Sequence, residues 1–234
     1  MLSKSKQEYN FPLNAGFDAD PENYHRLRDC WLNRRRQNFI ATHIKTVASG
    51  TRVLELGCGT GWLLSRLASD HPHLQWTGID PLAGYISFAE RNTVLANLRF
   101  VVGTAETADQ FLKPGFDVIL SNDVLHHVSS QSDVIQSMFR LAAPGCRWLA
   151  IEPNCRNVYT FLRQATKHGE RNFWPASFGD TARKSGWTKM SQSYLFLVPP
   201  FVKEPPDLLV RLEKRFERQS LIAGGVCLEL RKGS

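Results

Sequence analysis

One short stretch, Glu55-Leu56-Gly57-Cys58-Gly59-Thr60-Gly61, most limits what this chain can fold into. It follows an apolar run, Val53-Leu54-Glu55-Leu56, that reads as a buried strand. It precedes Trp62 to Ser69, whose Leu63, Leu64, Leu67 and Ala68 share one helical face. Glycines at such a junction let the backbone turn tightly and approach a ligand with no Cβ in the way. The free N–H groups at the helix start favour a negatively charged ligand group.

The chain beyond it keeps alternating. Leu74 to Ile79, Leu98 to Val102, Phe116 to Leu120 and Cys146 to Ile151 read as strands. Leu82 to Ala96 and Ser132 to Ala143 read as helices, with Lys113-Pro114-Gly115 and Pro144-Gly145 as turns. This predicts an α/β fold: a Rossmann-like three-layer sandwich around a mostly parallel sheet. Before it, Phe11 to Gly16 reads as loop. A long helical pattern then starts at Asp20-Pro21-Glu22 and runs to about Ser49. After Glu152 the pattern loosens into a helix at Asn157 to Lys167, a strand-like stretch at Trp187 to Val198, a charged helix at Pro205 to Gln219 and a last strand at Val226 to Arg231. The expectation is a single domain over 1–234, with a helical cap at 1–49, a cofactor-binding core at 50–153 and a substrate-side insertion with C-terminal strands at 154–234.

Asp80 ends the second strand, about 20 residues past the last glycine, where an acidic side chain accepts ribose hydroxyls. Together with the glycine turn it points to an adenosine-type ligand. A dinucleotide loop reads G-x-G-x-x-G. Here Gly61 comes one residue early and bulky Trp62 takes the third-glycine position. Glu55 would repel a diphosphate but attract an amino group. Both departures favour an aminoacyl tail over a diphosphate.

On these residues the chain resembles the class I S-adenosylmethionine-dependent methyltransferases, of small-molecule type. Glu55-x-Gly57-x-Gly59-x-Gly61 is similar to their first motif and Asp80 to their ribose acid. Gly103-Thr104-Ala105-Glu106 is similar to their adenine segment, and Phe116 to Asn122 to their fourth-strand motif. The resemblance implies a seven-stranded sheet with its last strand antiparallel, and S-adenosylmethionine as cofactor. It implies cofactor contacts from Glu55, Gly57, Cys58, Gly59, Gly61, Asp80, Pro81, Thr104, Ala105, Glu106 and Asn122. Thr104 departs from the aspartate that many relatives carry there.

Transfer from a sulfonium is an in-line displacement to which the protein contributes mainly position. Base candidates follow the fourth strand: Asn122, Asp123, His126 and His127, with His127 favoured and His126 the alternative. Substrate contacts are expected from Tyr24, His127, Asn154, Arg156 and Tyr159. The N-terminal segment adds Phe11, Phe17, His25, Arg28 and Trp31; the segment after the fifth strand adds Asn157, Arg163, Arg171, Phe173 and Trp174. Aromatics mixed with arginines suit an acceptor with a flat or apolar body and an anionic group. Tyr194 to Val202 reads either as a core strand or as an apolar substrate wall.

The main expectation is therefore methyl transfer to oxygen or nitrogen of a small molecule, natural-product or lipid-like. The net charge of +7, with Arg34-Arg35-Arg36 as one cluster, keeps an RNA or protein methyltransferase as the alternative. A nicotinamide-dependent oxidoreductase and a non-catalytic cofactor-binding protein stand further back. Ser121-Asn122-Asp123-Val124 lacks the Pro-Pro-aromatic pattern of relatives that methylate base nitrogens. Five cysteines without a C-x-x-C pair argue against a disulfide framework and a zinc site, and no metal is expected. With no apolar run long enough to span a membrane and a polar Met1 to Asn10, the expected location is cytoplasmic. The sequence does not specify an oligomeric state.

Overall fold

The computed structural model describes residues 20–166, 171–199 and 201–233. Two helices, α1 (Pro21–Arg28) and α2 (Trp31–Ile44), precede β1 (Arg52–Leu56). Next come α3 (Trp62–Asp70), β2 (Gln75–Asp80), α4 (Ala83–Asn92), β3 (Leu98–Val102), a 3-10 turn at Ala105–Gln110, β4 (Phe116–Asn122), α5 (Gln131–Leu141) and β5 (Ala142–Pro153). The last part holds α6 (Val158–Thr166), α7 (Pro175–Lys184), β6 (Trp187–Leu195), α8 (Asp207–Phe216) and β7 (Gly225–Lys232).

The seven strands form one sheet in the order β3-β2-β1-β4-β5-β7-β6. β1 to β5 pair in parallel, and β7 runs antiparallel to both β5 and β6. The expected architecture, its last strand antiparallel, is what forms. β1 and β4 are central and take their neighbours on both edges, which is why Val53, Leu54, Ile119 and Leu120 are all buried. Side chains alternate across the sheet, so two apolar layers form. Leu56, Ile119, Val134 and Trp148 belong to one, and Val53, Leu64, Leu120 and Ile151 to the other.

Two local expectations are corrected, and one further helix appears. The single helix expected from Asp20 to Ser49 is two, parted at Asp29 and Cys30. Cys30 is extended and buried, and Asn33 Nδ2 donates to the Arg28 carbonyl at 2.8 Å, satisfying one of α1's free C-terminal acceptors. Pro144-Gly145 lies inside β5 instead of before it. Gly145 takes φ +78°, and the β4–β5 register shifts alongside, so the strand absorbs the turn residues as an irregularity. α7 arises where the sequence pattern assigns no element, between Lys167 and Trp187, with Pro175 at its first position. Phe11 and Phe17, and the loop expected around them, lie outside the described residues.

Candidate active site

The parallel strands deliver their carboxyl ends to one edge of the sheet, and the predicted cofactor residues gather there. Gly57 has φ +63°, and a Cβ on it would come within 2.6 Å of Val124. Gly61 starts α3 at φ +74°, where a Cβ would meet the Phe100 ring at 2.7 Å. Both positions need glycine twice over, for conformation and for space.

Asp80 braces this loop from the next strand. Its Oδ2 accepts from the Gly59 N–H at 2.9 Å, and its Oδ1 from the Leu82 N–H at 3.0 Å. A carboxylate retains further lone-pair sites for ribose hydroxyls. Pro81 follows it and is exposed. At the end of β3, Thr104 Oγ1 lies 2.9 Å from Thr107 Oγ1, and Ala105 is buried. Glu106 Oε1 accepts from both the N–H and the hydroxyl of Ser129 at 2.9 Å, which ties this segment to the turn before α5.

A small cavity of about 30 Å³ opens between these elements, lined in part by Glu55, Gly57, Cys58 and Asn122. Glu55 Oε2 and Asn122 Oδ1 are buried and, among the described residues, have no hydrogen-bond partner. Burial drives the Glu55 carboxyl up to about 8; Arg28 opposes this and Asp80 adds to it. Two oxygens without a partner at one small space can accept from an ammonium group, which would also favour the ionised form of Glu55. The aminoacyl end of S-adenosylmethionine carries one, so the residues fit that cofactor.

α1 covers the loop. Asp20 caps it, its side chain accepting from the Asn23 N–H. The Tyr24 ring stacks on Tyr85 with centroids 4.7 Å apart and lies against Gly59. His25 Nδ1 lies 3.1 Å from Thr60 Oγ1. Tyr24, expected at the substrate, therefore packs on the cofactor loop and lines the small cavity.

A second cavity of about 550 Å³ adjoins the first, and Arg28 and Asn33 line both. Leu27 and Leu32, Phe196 and Val198, and Leu221 and Ile222 supply apolar walls. The apolar run after β6, left open between core strand and substrate wall, thus divides: it is strand to Leu195 and cavity wall from Phe196 to Pro199. Arg36 and Asp123 form part of the polar lining, 2.7 Å apart. Burial would raise the Asp123 carboxyl, but Arg36, His126 and Arg28 outweigh it and hold it at about 2. Asp123 also carries φ +57°, an uncommon value for a non-glycine residue at the end of a central strand.

Of the other expected substrate residues, Tyr159, Asn157 and Arg163 line this cavity. Asn154 does not. Its amide donates to the Ser220 and Ala223 carbonyls and its Oδ1 accepts from the Arg156 N–H, so its polar atoms hold the cavity's frame together. Arg156 is exposed and absent from the described lining. Trp31 donates to Glu213 at 2.9 Å, Phe173 is fully buried in the core, and Trp174 is exposed. Arg171 donates its backbone N–H to the His126 carbonyl.

His126 is buried, with Nδ1 2.7 Å from Glu152 Oε2. Glu152 Oε1 accepts from the Val124 and Leu125 N–H groups, so this carboxylate shapes the turn after β4. His127 is half-buried with its ring 4.0 Å from that of His126. Neither histidine is among the described residues that line the two cavities. Asn33 and Arg36 were not singled out from sequence as site residues. Their only signal was spacing: they stand three apart on one face of α2.

The arginine cluster is consumed internally. Arg34 pairs with Asp29, Arg35 with Glu213 and Glu217, and Arg36 with Asp123. Arg36 is buried by its pairing, whereas the Arg34–Asp29 pair stays at the surface.

The family profile described as a methyltransferase domain matches residues 48–192, more than half of the chain. The chain belongs to the class I S-adenosylmethionine-dependent methyltransferases. It is 32% identical over 135 residues to a fatty-acid O-methyltransferase of Mycolicibacterium smegmatis, covering 57% of this chain and 49% of that protein. It is 30% identical over 116 residues to a ubiquinone biosynthesis O-methyltransferase of Pseudomonas fluorescens, covering 49% of this chain and 48% of that protein. The chain thus spans about half the length of these curated relatives. Among solved structures, the cyclase SpnF superposes with a TM-score of 0.72 at 18% identity, covering 94% of this chain and 96% of that one. That likeness concerns the fold alone, and a cyclase on this fold is a reminder that architecture does not specify a reaction.

Proposed function

We propose that the chain transfers a methyl group from S-adenosylmethionine to an oxygen or nitrogen of a small acceptor with an apolar body. The observation that carries this reading is the cavity of about 550 Å³ that meets the ammonium-binding space at Arg28 and Asn33. Its volume and apolar walls suit a small-molecule ligand. The O-methyltransferase relatives, named for fatty acids and for ubiquinone biosynthesis, support oxygen as acceptor and an apolar body.

S-adenosylmethionine supplies an already activated methyl group when bound. In this reading Glu55 and Asn122 hold the ammonium, and Arg28, at the same cavity, suits the carboxylate of the aminoacyl tail. The backbone around Gly57, Cys58, Gly59 and Gly61 holds the chain of that tail. Asp80 binds the ribose with Pro81 beside it, and Thr104, Ala105 and Glu106 flank the adenine. His127 takes the acceptor's proton where it needs removing, with the His126–Glu152 pair as its support. Asp123, held at about 2 by its cations, is a poor base and serves as a fixed charge. Tyr159 and the walls around it seat the acceptor, while Asn154 and Arg156 frame it. We read 1–49 as cap, 50–153 as cofactor core and 154–234 as acceptor side of a single domain. Among the described residues no helix is long and apolar enough to cross a membrane, and the five buried free thiols are in keeping with a reducing cytoplasm.

Calorimetric titration with S-adenosylmethionine, S-adenosylhomocysteine and NAD, followed by radiolabelled methyl transfer to a panel of acids, phenols and amines, tests the reading. NAD binding without S-adenosylmethionine binding overturns it. Transfer to RNA in place of every small acceptor overturns the choice of substrate.

A further inference from the structure

The rim of the larger cavity is built the wrong way round for a face that meets only water. α6 is strongly amphipathic, yet its buried positions are polar: Thr160 is 5% and Gln164 1% exposed. Its outward positions are apolar, with Val158 71%, Tyr159 52% and Leu162 55% exposed, and Phe161 beside them. An ordinary surface helix turns its apolar stripe inward. Leu221, 67% exposed and distant in sequence, lines the same cavity as Val158 and Tyr159. Asn157 Nδ2 fastens the start of α6 to the Ile222 carbonyl at 2.6 Å, so the two segments present one surface. Large side chains gathered in this way mark an interaction site, whereas isolated exposed ones do not.

Charge narrows the occupant. Arg163 on α6 lines the cavity and exposed Arg156 precedes the helix. Among the described residues, neither guanidinium is paired with a carboxylate. The chain as a whole carries +7. Protruding apolar groups and a tyrosine, flanked by arginines, are the chemistry of a helix lying in the interface of an anionic bilayer. The apolar cavity opening at that face would receive an acceptor from the acyl layer without exposing it to water.

We propose that α6 and the 221–222 segment dock the cavity mouth onto an anionic lipid surface, from which the acceptor is drawn. This rests on the reading of the larger cavity as the acceptor site.

The test is flotation of the full chain with vesicles of phosphatidylcholine alone and of an equal mixture with phosphatidylglycerol. A double variant, Phe161→Ser with Leu162→Asp, alters two side chains outside the described cavity lining. The wild type should float with the mixed vesicles, more at low than at high salt. The variant should lose about tenfold or more of that partition while keeping its Tm and its affinity for S-adenosylmethionine. Retained cofactor affinity separates a failure of docking from a failure of the methyltransferase reading. A wild type that does not float, equal flotation on neutral vesicles, or a variant that floats as well overturns the proposal. So does a dimer seen by sedimentation equilibrium that the variant abolishes, since that assigns the face to a second copy.

Discussion

Replacing Glu55 with glutamine should make the cofactor-free protein increasingly more stable than the wild type as pH rises. The folded chain keeps this carboxyl protonated up to about 8, whereas its ordinary value is 4.5. Between those values the unfolded chain has released the proton and the folded chain has not. Folding stability contributed by Glu55 is therefore fully present below pH 4.5 and is lost as pH rises through 8. Each pKa unit is worth about 1.4 kcal/mol, so the span from about pH 5 to about pH 8 costs the wild type about 4 kcal/mol. In a chain of 234 residues that is roughly 8 to 16 °C in Tm.

Glutamine has no proton to exchange, so the difference between wild type and Glu55→Gln isolates this group from every other titration. Urea unfolding at a series of pH values, without cofactor, supplies both curves. The wild-type curve should fall relative to the variant's across that interval. Saturating S-adenosylmethionine should flatten the difference, because its ammonium compensates the buried anion. Parallel profiles without cofactor, or a variant that loses stability faster than the wild type, would refute the assignment of Glu55 as a buried, unpaired acid.

Asp80→Asn removes a charge-assisted acceptor from the Gly59 N–H and one ribose partner, and calorimetry should show S-adenosylmethionine affinity lowered about tenfold or more. His127→Ala should lower turnover far more than cofactor affinity; equal turnover in the variant sinks its role as base. Arg36→Met leaves Asp123 without its ion-pair partner and should cost about 3 kcal/mol at neutral pH, read by chemical denaturation. Because Asp123 is held at about 2 against an ordinary 3.8, that stabilisation is present above pH 3.8 and disappears as pH falls through 2, so the two proteins should converge in strong acid.

The sheet was legible because its strands are short apolar runs between turn signals, and β3 begins and ends at the expected Leu98 and Val102. Asp80 and the glycines were legible for a related reason: each lies at a strand end whose place in the sheet follows from the alternation. Arg36 was not. Its partner Asp123 is 87 positions away, and only the docking of α2 on the sheet edge brings them together. The break between α1 and α2 was hidden too. Asp29 and Cys30 are neither glycine nor proline, and no local propensity ends a helix there. The break is imposed by burial of Cys30 and by the bond from Asn33 to the Arg28 carbonyl. α7 had a usable signal in Trp174-Pro175, since proline suits the first turn of a helix, but the stretch around it lacked a clear period.

That hidden break matters more to the site than any strand boundary. About 30 Å³ holds a water molecule and not an adenosyl group. Beside it α1 packs on the glycine loop, through Tyr24 on Gly59 and His25 on Thr60. α2 is anchored by contrast: Ile40 and Ile44 are fully buried, Arg36 pairs with Asp123, and Trp31 and Arg35 both reach Glu213. Arg28, the last residue of α1, walls both cavities. The two cavities thus meet at one helix of eight residues, and its position depends on the break that follows it.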